Sequence, residues 1–196
     1  MKASYFVLLL VIGFSAYLIK LWEPQYSVPL YIGVLLLSLT FGVIVKNINL
    51  AHISLFLILI NGLEYIIFQF GVIDLVAGDR GYLMQGALIF GMQLIISLVA
   101  VIIFIFRVQI SRKISSSSNI SLTHFDTFFH WFFILSALNC FAALIENTFR
   151  NIYQFDFQFF YDIYPSVSYV IWALTLGALT TMMILSIKEK GSQLTV

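Results

Sequence analysis

The stretch LMQGALIFGMQLIISLVAVIIFIF, residues 83–106, decides the fold class of this chain. Its 24 residues include no Asp, Glu, Lys, Arg, His or Pro. As a helix that rises about 1.5 Å per residue, it is about 36 Å long, and the hydrocarbon core of a bilayer is only about 30 Å thick. An uncharged run of this length is typical of a transmembrane helix, and we predict a span at about 83–107.

The composition of the whole chain has the same character. Of 196 residues, 61% are hydrophobic and 10% are charged, which lies outside the range of a water-soluble domain. The formal net charge of +1 argues against direct binding of nucleic acid. A single cysteine, Cys140, excludes an internal disulfide and a CxxC redox pair. The sequence therefore predicts an integral membrane protein whose main surroundings are the lipid bilayer.

The apolar runs predict an all-α fold, a polytopic transmembrane bundle of about six spans. These are about 5–22, 28–46, 51–72, 83–107, 127–149 and 166–187. Four spans are the alternative, if 51–72 and 127–149 are interfacial or re-entrant. The first run could also be a signal peptide, but no small-residue cleavage site follows it, and we interpret it as an uncleaved span.

The basic residues predict that both termini lie inside the cell. Cytoplasmic segments carry more Lys and Arg than external ones, and this orientation puts seven of the ten basic residues inside. We expect one multi-pass domain, residues 1–196, in the bacterial inner (plasma) membrane. Its cytoplasmic loop is 108–126, with a flexible SSSSN at 115–119, and its external loop is 150–165.

Polar side chains inside the predicted spans are the first candidates for a site. A carboxylate in hydrocarbon costs about 3 kcal/mol on insertion scales, so it needs a partner or a wet cavity. Asn61 and Glu64 share a helix face and could form an ion, proton or ligand site, or hydrogen-bond helices together. Asn139, Glu146 and Arg150 form a second stripe, in which Glu146 and Arg150 can pair at i, i+4. That pair closes a helix end or belongs to a ligand site.

Small residues at i, i+4 predict where helices approach one another. Such pairs let helix backbones come close in a bilayer, where apolar burial gives no driving force. We predict a homo-oligomer that uses the even-numbered spans. The interface candidates are Ser38, Gly42, Ala87, Gly91, Ala173 and Gly177.

The predicted external loop is unusually aromatic. Its sequence is RNIYQFDFQFFYDIYP, residues 150–165. Aromatic rings are favoured at the membrane–water interface, so the loop is expected to lie along the membrane. It is either a belt that anchors the helices or a surface that responds to the outer leaflet. The candidates are Phe155, Phe157, Phe159, Phe160 and Tyr161.

Motifs that carry enzymatic chemistry are absent. The sequence has no HExxH, no Cys/His cluster, no GxSxG and no Walker loop. The ENTFR of 146–150 is faintly similar to a motif of membrane-embedded CAAX-type proteases, but the paired glutamates and later histidines of that family are missing. We therefore expect no enzyme activity, no metal and no cofactor.

These observations favour a membrane sensor or anchor that oligomerises and recruits a cytosolic effector. The basic residues that could dock such an effector are Arg107, Arg112, Lys113, Lys188 and Lys190. As a small, Phe- and Ile-rich polytopic protein with 20 Phe, the chain resembles the KwaA-like membrane components of the Kiwa antiphage system over its whole length. KwaA-like proteins are usually described as having four spans, where we count six. The resemblance implies a homo-oligomer that detects phage attack at the envelope and works with a cytosolic DNA-binding partner, KwaB.

A solute-binding transporter subunit is the alternative function. Six spans with both termini inside are similar to the substrate-binding components of energy-coupling-factor transporters. That family carries an AxxxA-type motif on the first helix, and the run YFVLLLVIGFSAYLIKLW at 5–22 has none. Its binding residues therefore cannot be carried over to this sequence.

Overall fold

The computed structural model describes residues 3–22, 27–73, 81–154 and 156–193, and within these ranges all regular structure is α-helical. Six long helices and one short helix follow one another along the chain. They are α1 (Ala3–Trp22), α2 (Ser27–Ile44), α3 (Ile48–Gln69), α4 (Gly81–Ile105), α5 (Arg107–Ile114), α6 (Asp126–Tyr153) and α7 (Phe159–Gln193). The predicted helical membrane bundle is confirmed.

Four helices are long and apolar enough to cross a membrane: α3, α4, α6 and α7. The alternative that removed 51–72 and 127–149 from the spans is therefore not favoured, because 51–69 and 127–149 lie in continuous helices of 22 and 28 residues. In α1 and α2, the described apolar parts, Ser4–Leu18 and Pro29–Ile44, are shorter. The count of six spans stays a prediction.

Two predicted loops are shorter than expected. The external loop was placed at 150–165, but α6 continues to Tyr153 and α7 already begins at Phe159. The cytoplasmic loop was placed at 108–126, but its first part is α5. Helices persist at both ends because each extra turn satisfies backbone groups that a loop near the membrane would leave unpaired.

Helices α4 and α6 pack along one antiparallel seam. Three residues of α4 that contact α6 are Gly86, Ser97 and Phe104, and their separations of 11 and 7 residues place them on one face of the helix. Ser97 and Ser136 share a hydrogen bond of 3.0 Å, and the Phe104 ring stacks on the rings of Phe129 and Phe133. At the end of the bundle that is predicted to be external, called the outer end below, Asn147 of α6 donates to the Leu83 carbonyl at 3.0 Å. Small and polar residues at such contacts are typical of helix pairs in membranes.

Helix α7 packs antiparallel to α1 through backbone contact. A Cβ at Gly177 would lie 2.5 Å from the Leu9 carbonyl oxygen, and the Ala173 carbonyl lies beside Gly13. Helices α2 and α3 meet in the same way: Ser38 hydrogen-bonds Ser54 at 2.7 Å, and Gly42 contacts the Ala51 backbone.

The predicted oligomer interface therefore needs correction. Ser38, Gly42, Ala173 and Gly177 are buried against helices of the same chain. Ala87 and Gly91 on α4 are partly exposed, and a Cβ at Gly91 would meet no atom within 4 Å. Pairs of small residues do lie where helices come close, as the sequence indicated. However, the Ser38/Gly42 and Ala173/Gly177 pairs contact helices of the same chain.

A buried ion pair closes the opposite end of the bundle, where α3 and α6 begin and α4 ends; this end is predicted to be cytoplasmic and is called the inner end below. Arg107 binds both carboxylate oxygens of Asp126, with the Arg107 Nε to Asp126 Oδ1 distance at 2.7 Å. The same guanidinium donates to Asn49 Oδ1 at 2.9 Å and to the Ser121 carbonyl at 2.7 Å. The Arg107 and Asp126 side chains are 1% and 3% exposed. Through Arg107, the connector after α5 is thus bound to α3, α5 and α6.

Candidate functional site

Glu64 belongs to a polar cluster that joins three helices. The Gln93 amide of α4 donates to Glu64 Oε1 of α3 at 3.4 Å, and the Tyr164 hydroxyl of α7 donates to Gln93 Oε1 at 2.5 Å. The chain of donors is thus ordered from Tyr164 through Gln93 to Glu64. The glutamate does find a hydrogen-bond partner on a neighbouring helix.

The cluster continues along the contact of α6 and α7. Asn139 of α6 donates to the Tyr164 carbonyl at 3.1 Å and to Ser168 Oγ at 3.3 Å. Pro165, one residue after Tyr164, lies inside α7 and supplies no N–H to the helix. The Asn139 side chain thus binds α7 beside Pro165, where the helix lacks one N–H donor.

Asn61, predicted to act with Glu64, uses a different partner. Its side chain donates to the Leu57 carbonyl of its own helix at 2.7 Å. In the part of the chain that the structure describes, no three His, Cys, Asp or Glu side chains lie close enough together to hold a metal ion. The contacts that the cluster shows are hydrogen bonds between helices.

We expect Gln93 and Tyr164 to be energetically coupled. In a double-mutant cycle of Gln93→Leu and Tyr164→Phe, the coupling free energy should be about 0.6–1.7 kcal/mol, the range measured for hydrogen bonds between membrane helices. Unfolding in mixed detergent micelles measures it. Thr40→Val is the control, because the exposed Thr40 hydroxyl bonds only to carbonyls of its own helix. Coupling indistinguishable from zero would show that the Gln93–Tyr164 contact contributes nothing.

A second polar site lies at the outer end, where the Glu146 carboxylate caps the first turn of α7. It accepts the backbone N–H groups of Phe160 at 2.6 Å and of Tyr161 at 3.0 Å. Those N–H groups have no partner inside their helix, and the helix N-terminus carries partial positive charge, so both effects favour an anion there. Glu146 is 5% exposed. We call this contact the outer latch.

The predicted pairing of Glu146 with Arg150 is wrong. Among the described residues, Arg107 and Asp126 form an ion pair, and no ion pair joins Glu146 to Arg150. The Arg150 guanidinium lies over the Tyr161 ring, 5.2 Å from its centroid. The two side chains are indeed at a helix end, but each reaches α7 rather than the other.

Aromatic side chains and the latch line a cavity of about 340 Å³ at the outer end, and the cavity is partly open to the surroundings. Its walls are Ile145, Glu146, Phe149, Arg150, Phe157 and Phe160. The rings of Phe157, Phe159 and Phe160 lie 5.3–6.3 Å apart and form one cluster. Tyr161 meets the ring of Phe90 edge-on at 6.2 Å. Phe155 lies outside the described residues.

The basic residues predicted to dock an effector divide into two groups. Arg112, Lys113 and Lys188 are exposed at the inner end. Arg107 is buried in its ion pair and cannot contact a partner protein, which corrects that part of the prediction. The side chain of Lys190 lies outside the described residues. The exposed inner surface is therefore smaller than predicted, and we call Arg112, Lys113 and Lys188 the inner basic surface.

No family model, curated protein or solved structure matches the chain, so its function is inferred from this geometry. Sequence reasoning found Glu64, Asn139 and Glu146 but missed Gln93 and Tyr164. An uncharged glutamine in an apolar run is a usable signal, because a polar side chain in hydrocarbon seeks a partner. The tyrosine gave no such signal, since tyrosines are common near helix ends in membranes.

Proposed function

We propose that this chain is a non-enzymatic membrane sensor and anchor, in which the outer aromatic segment controls the inner basic surface through α7. The observation that carries the proposal is the outer latch. One buried carboxylate holds the first turn of α7, and the rings that surround it are exposed. In the predicted orientation these rings lie at the outer boundary of the membrane. A change in those rings would act directly on the end of a long helix.

Helix α7 offers a physical connection between the two ends. It is continuous from Phe159 to Gln193. Near its inner end, Ser186 accepts a hydrogen bond of 2.7 Å from Asn47, which in turn caps α3 by accepting the Leu50 N–H. A shift of α7 would change both this contact and the position of Lys188. A sensor needs two such arrangements with different affinities for what it detects.

The inner basic surface suits an acidic patch on a cytosolic effector. Surface lysines and arginines steer partners of opposite charge and set the rate of association. Antiphage defence with a KwaB-like effector is the biological setting that the resemblance to KwaA-like proteins suggests. Self-association belongs to the proposal, and the partly exposed Ala87/Gly91 face of α4 is the small-residue pair that remains for it.

Glu146→Gln tests the latch. A neutral amide cannot match the charge-assisted bonds to Phe160 and Tyr161, which are worth about 1.5–3 kcal/mol each. We expect amide exchange in a peptide covering 156–165 to become faster by about tenfold or more, since 1.4 kcal/mol corresponds to tenfold. Protection against phage should be lost, while membrane insertion is kept.

Asp162→Asn is the matched control, because this exposed carboxylate lies in the same turn of α7 and the latch does not use it. It should leave exchange and protection unchanged. If Glu146→Gln makes amide exchange clearly faster but the variant still protects fully against phage, the latch does not control the response, and the proposal is wrong.

The outer cavity favours a second candidate, a small-solute-binding transporter subunit. A volume of about 340 Å³ falls at the low end of small-molecule sites. A vitamin-like solute that co-purifies with the protein, together with an ATPase encoded beside it, would support this candidate. A cytosolic effector encoded beside it would support the sensor.

A further inference from the structure

We propose that the outer cavity binds an anionic phospholipid of the outer leaflet, with an acyl chain between the phenylalanine rings and the phosphate at Arg150. The inference deepens the proposed function by naming what the outer segment recognises. The cavity walls include four apolar side chains, Ile145, Phe149, Phe157 and Phe160, each between 37% and 53% exposed. Large apolar groups left this accessible around a cavity favour a hydrocarbon occupant.

The charges of the walls select the headgroup. Glu146 and Arg150 are the charged residues that line the cavity, but the surface exposed inside it is apolar, and the Arg150 guanidinium lies over the ring of Tyr161, which does not line it. The Glu146 carboxylate is already matched by two N–H groups and a helix N-terminus. Within the described ranges, Arg150 has no carboxylate at ion-pair distance, and its guanidinium rests on the Tyr161 ring. The guanidinium is thus the unmatched charge, and it suits the bidentate geometry of a phosphate.

Acidic side chains nearby do not cancel this charge. Asp156 and Asp162 are exposed to the surroundings and are not part of the cavity walls. Exposed charges are screened by water and salt far more than a guanidinium packed on a ring. A phosphate at Arg150 therefore meets a local excess of positive charge.

The level of the site in the membrane agrees with an amphiphile. Arg150 is one turn from the end of α6 at Tyr153. Basic side chains near helix ends reach toward the headgroups, while aromatic rings occupy the interface. A soluble anion would not use the apolar walls, and a neutral hydrocarbon would not use Arg150. A phospholipid uses both.

Occupancy of the cavity would act on the latch itself. Phe160 contributes its ring to the wall and its N–H to Glu146, and Arg150 contacts the ring of the next residue, Tyr161. Binding therefore changes the free energy of two residues in the first turn of α7. This is the differential interaction that a two-state sensor requires.

The test is a native mass spectrometry titration of the full chain in detergent with phosphatidylglycerol and with phosphatidylcholine of the same acyl chains. We expect one retained phosphatidylglycerol per chain, with phosphatidylcholine bound at least tenfold more weakly. Arg150→Gln should weaken phosphatidylglycerol by about tenfold or more and leave phosphatidylcholine unchanged, because one charge-assisted contact is lost. Phe157→Ala should weaken both lipids.

Lys113→Gln is the matched control, because it makes the same change of charge at the exposed inner end. It should leave the retained lipid in place. Glycerol phosphate, which has the headgroup without the chains, should fail to compete. Equal binding of phosphatidylglycerol to the wild type and to Arg150→Gln, or effective competition by glycerol phosphate, would overturn the inference.

The same variants separate the inference from the proposed function. If Arg150→Gln loses the lipid but keeps protection against phage, the lipid site stands and its role in sensing fails. If it keeps the lipid but loses protection, the sensor stands and the lipid site fails.

Discussion

Replacing Arg107 with Ala should lower the free energy of unfolding by about 3–5 kcal/mol. Removing one partner of a buried ion pair leaves the other charge buried and uncompensated, which is far more costly than losing a surface contact. Here the loss is larger than one pair, because the guanidinium also holds Asn49 and the Ser121 carbonyl. The connector between α5 and α6 should then become accessible to protease.

Arg112→Ala is the matched control, five residues further along the chain. This exposed arginine makes a single hydrogen bond, 3.3 Å long, to the Ile120 carbonyl. Its removal should change the stability by no more than about 0.5 kcal/mol. Unfolding in denaturing detergent and limited proteolysis measure both variants. Equal stability of the two would show that the buried pair contributes nothing beyond a surface contact.

Gly177→Leu should force α1 and α7 apart and destabilise the monomer by about 1–3 kcal/mol or more. Even the first carbon of a side chain at residue 177 would lie 2.5 Å from the backbone oxygen of Leu9, and backbone cannot move aside as a flexible side chain can. Thermal unfolding in detergent and the yield of folded protein would record the effect.

The same substitution at Gly91 is the contrasting case. A Cβ there meets no atom within 4 Å, so Gly91→Leu should keep the monomer stable. It should weaken self-association if the Ala87/Gly91 face forms the oligomer interface, as the proposal requires. Unchanged oligomer size on replacement of Gly91 would remove this face from the proposal, and a stable monomer on replacement of Gly177 would contradict the close packing of α1 and α7.

The sequence was sufficient for the fold class because hydrocarbon imposes one solution on a long uncharged run such as 83–106. The sequence did not reveal which residues the charged side chains bind. Arg107 ends an apolar run, and such a residue is ordinarily a surface anchor. Its actual partner, Asp126, is 19 residues away, and only the fold of the connector brings the two together.

The predicted partner of Glu146 was wrong for a related reason, because it was chosen from residue spacing within one helix. The i, i+4 rule compares side chains on one helix, and it predicted Arg150 as the partner. It ignores the unpaired N–H groups at the start of the next helix, which compete for the same carboxylate and here bind it. The small-residue pairs share this limit, since their spacing shows that a helix approaches closely but not whether it belongs to the same chain.

The seam between α4 and α6 has a consequence for how this chain can change length during evolution. The step from Gly86 to Ser97 along α4 equals the step back from Asn147 to Ser136 along α6, so the contacts along the seam depend on a shared count of residues. One inserted residue would rotate everything beyond it by about 100° and turn the small and polar positions toward lipid. Substitutions that preserve side-chain volume can accumulate along these helices, but insertions and deletions are restricted to the connectors outside them.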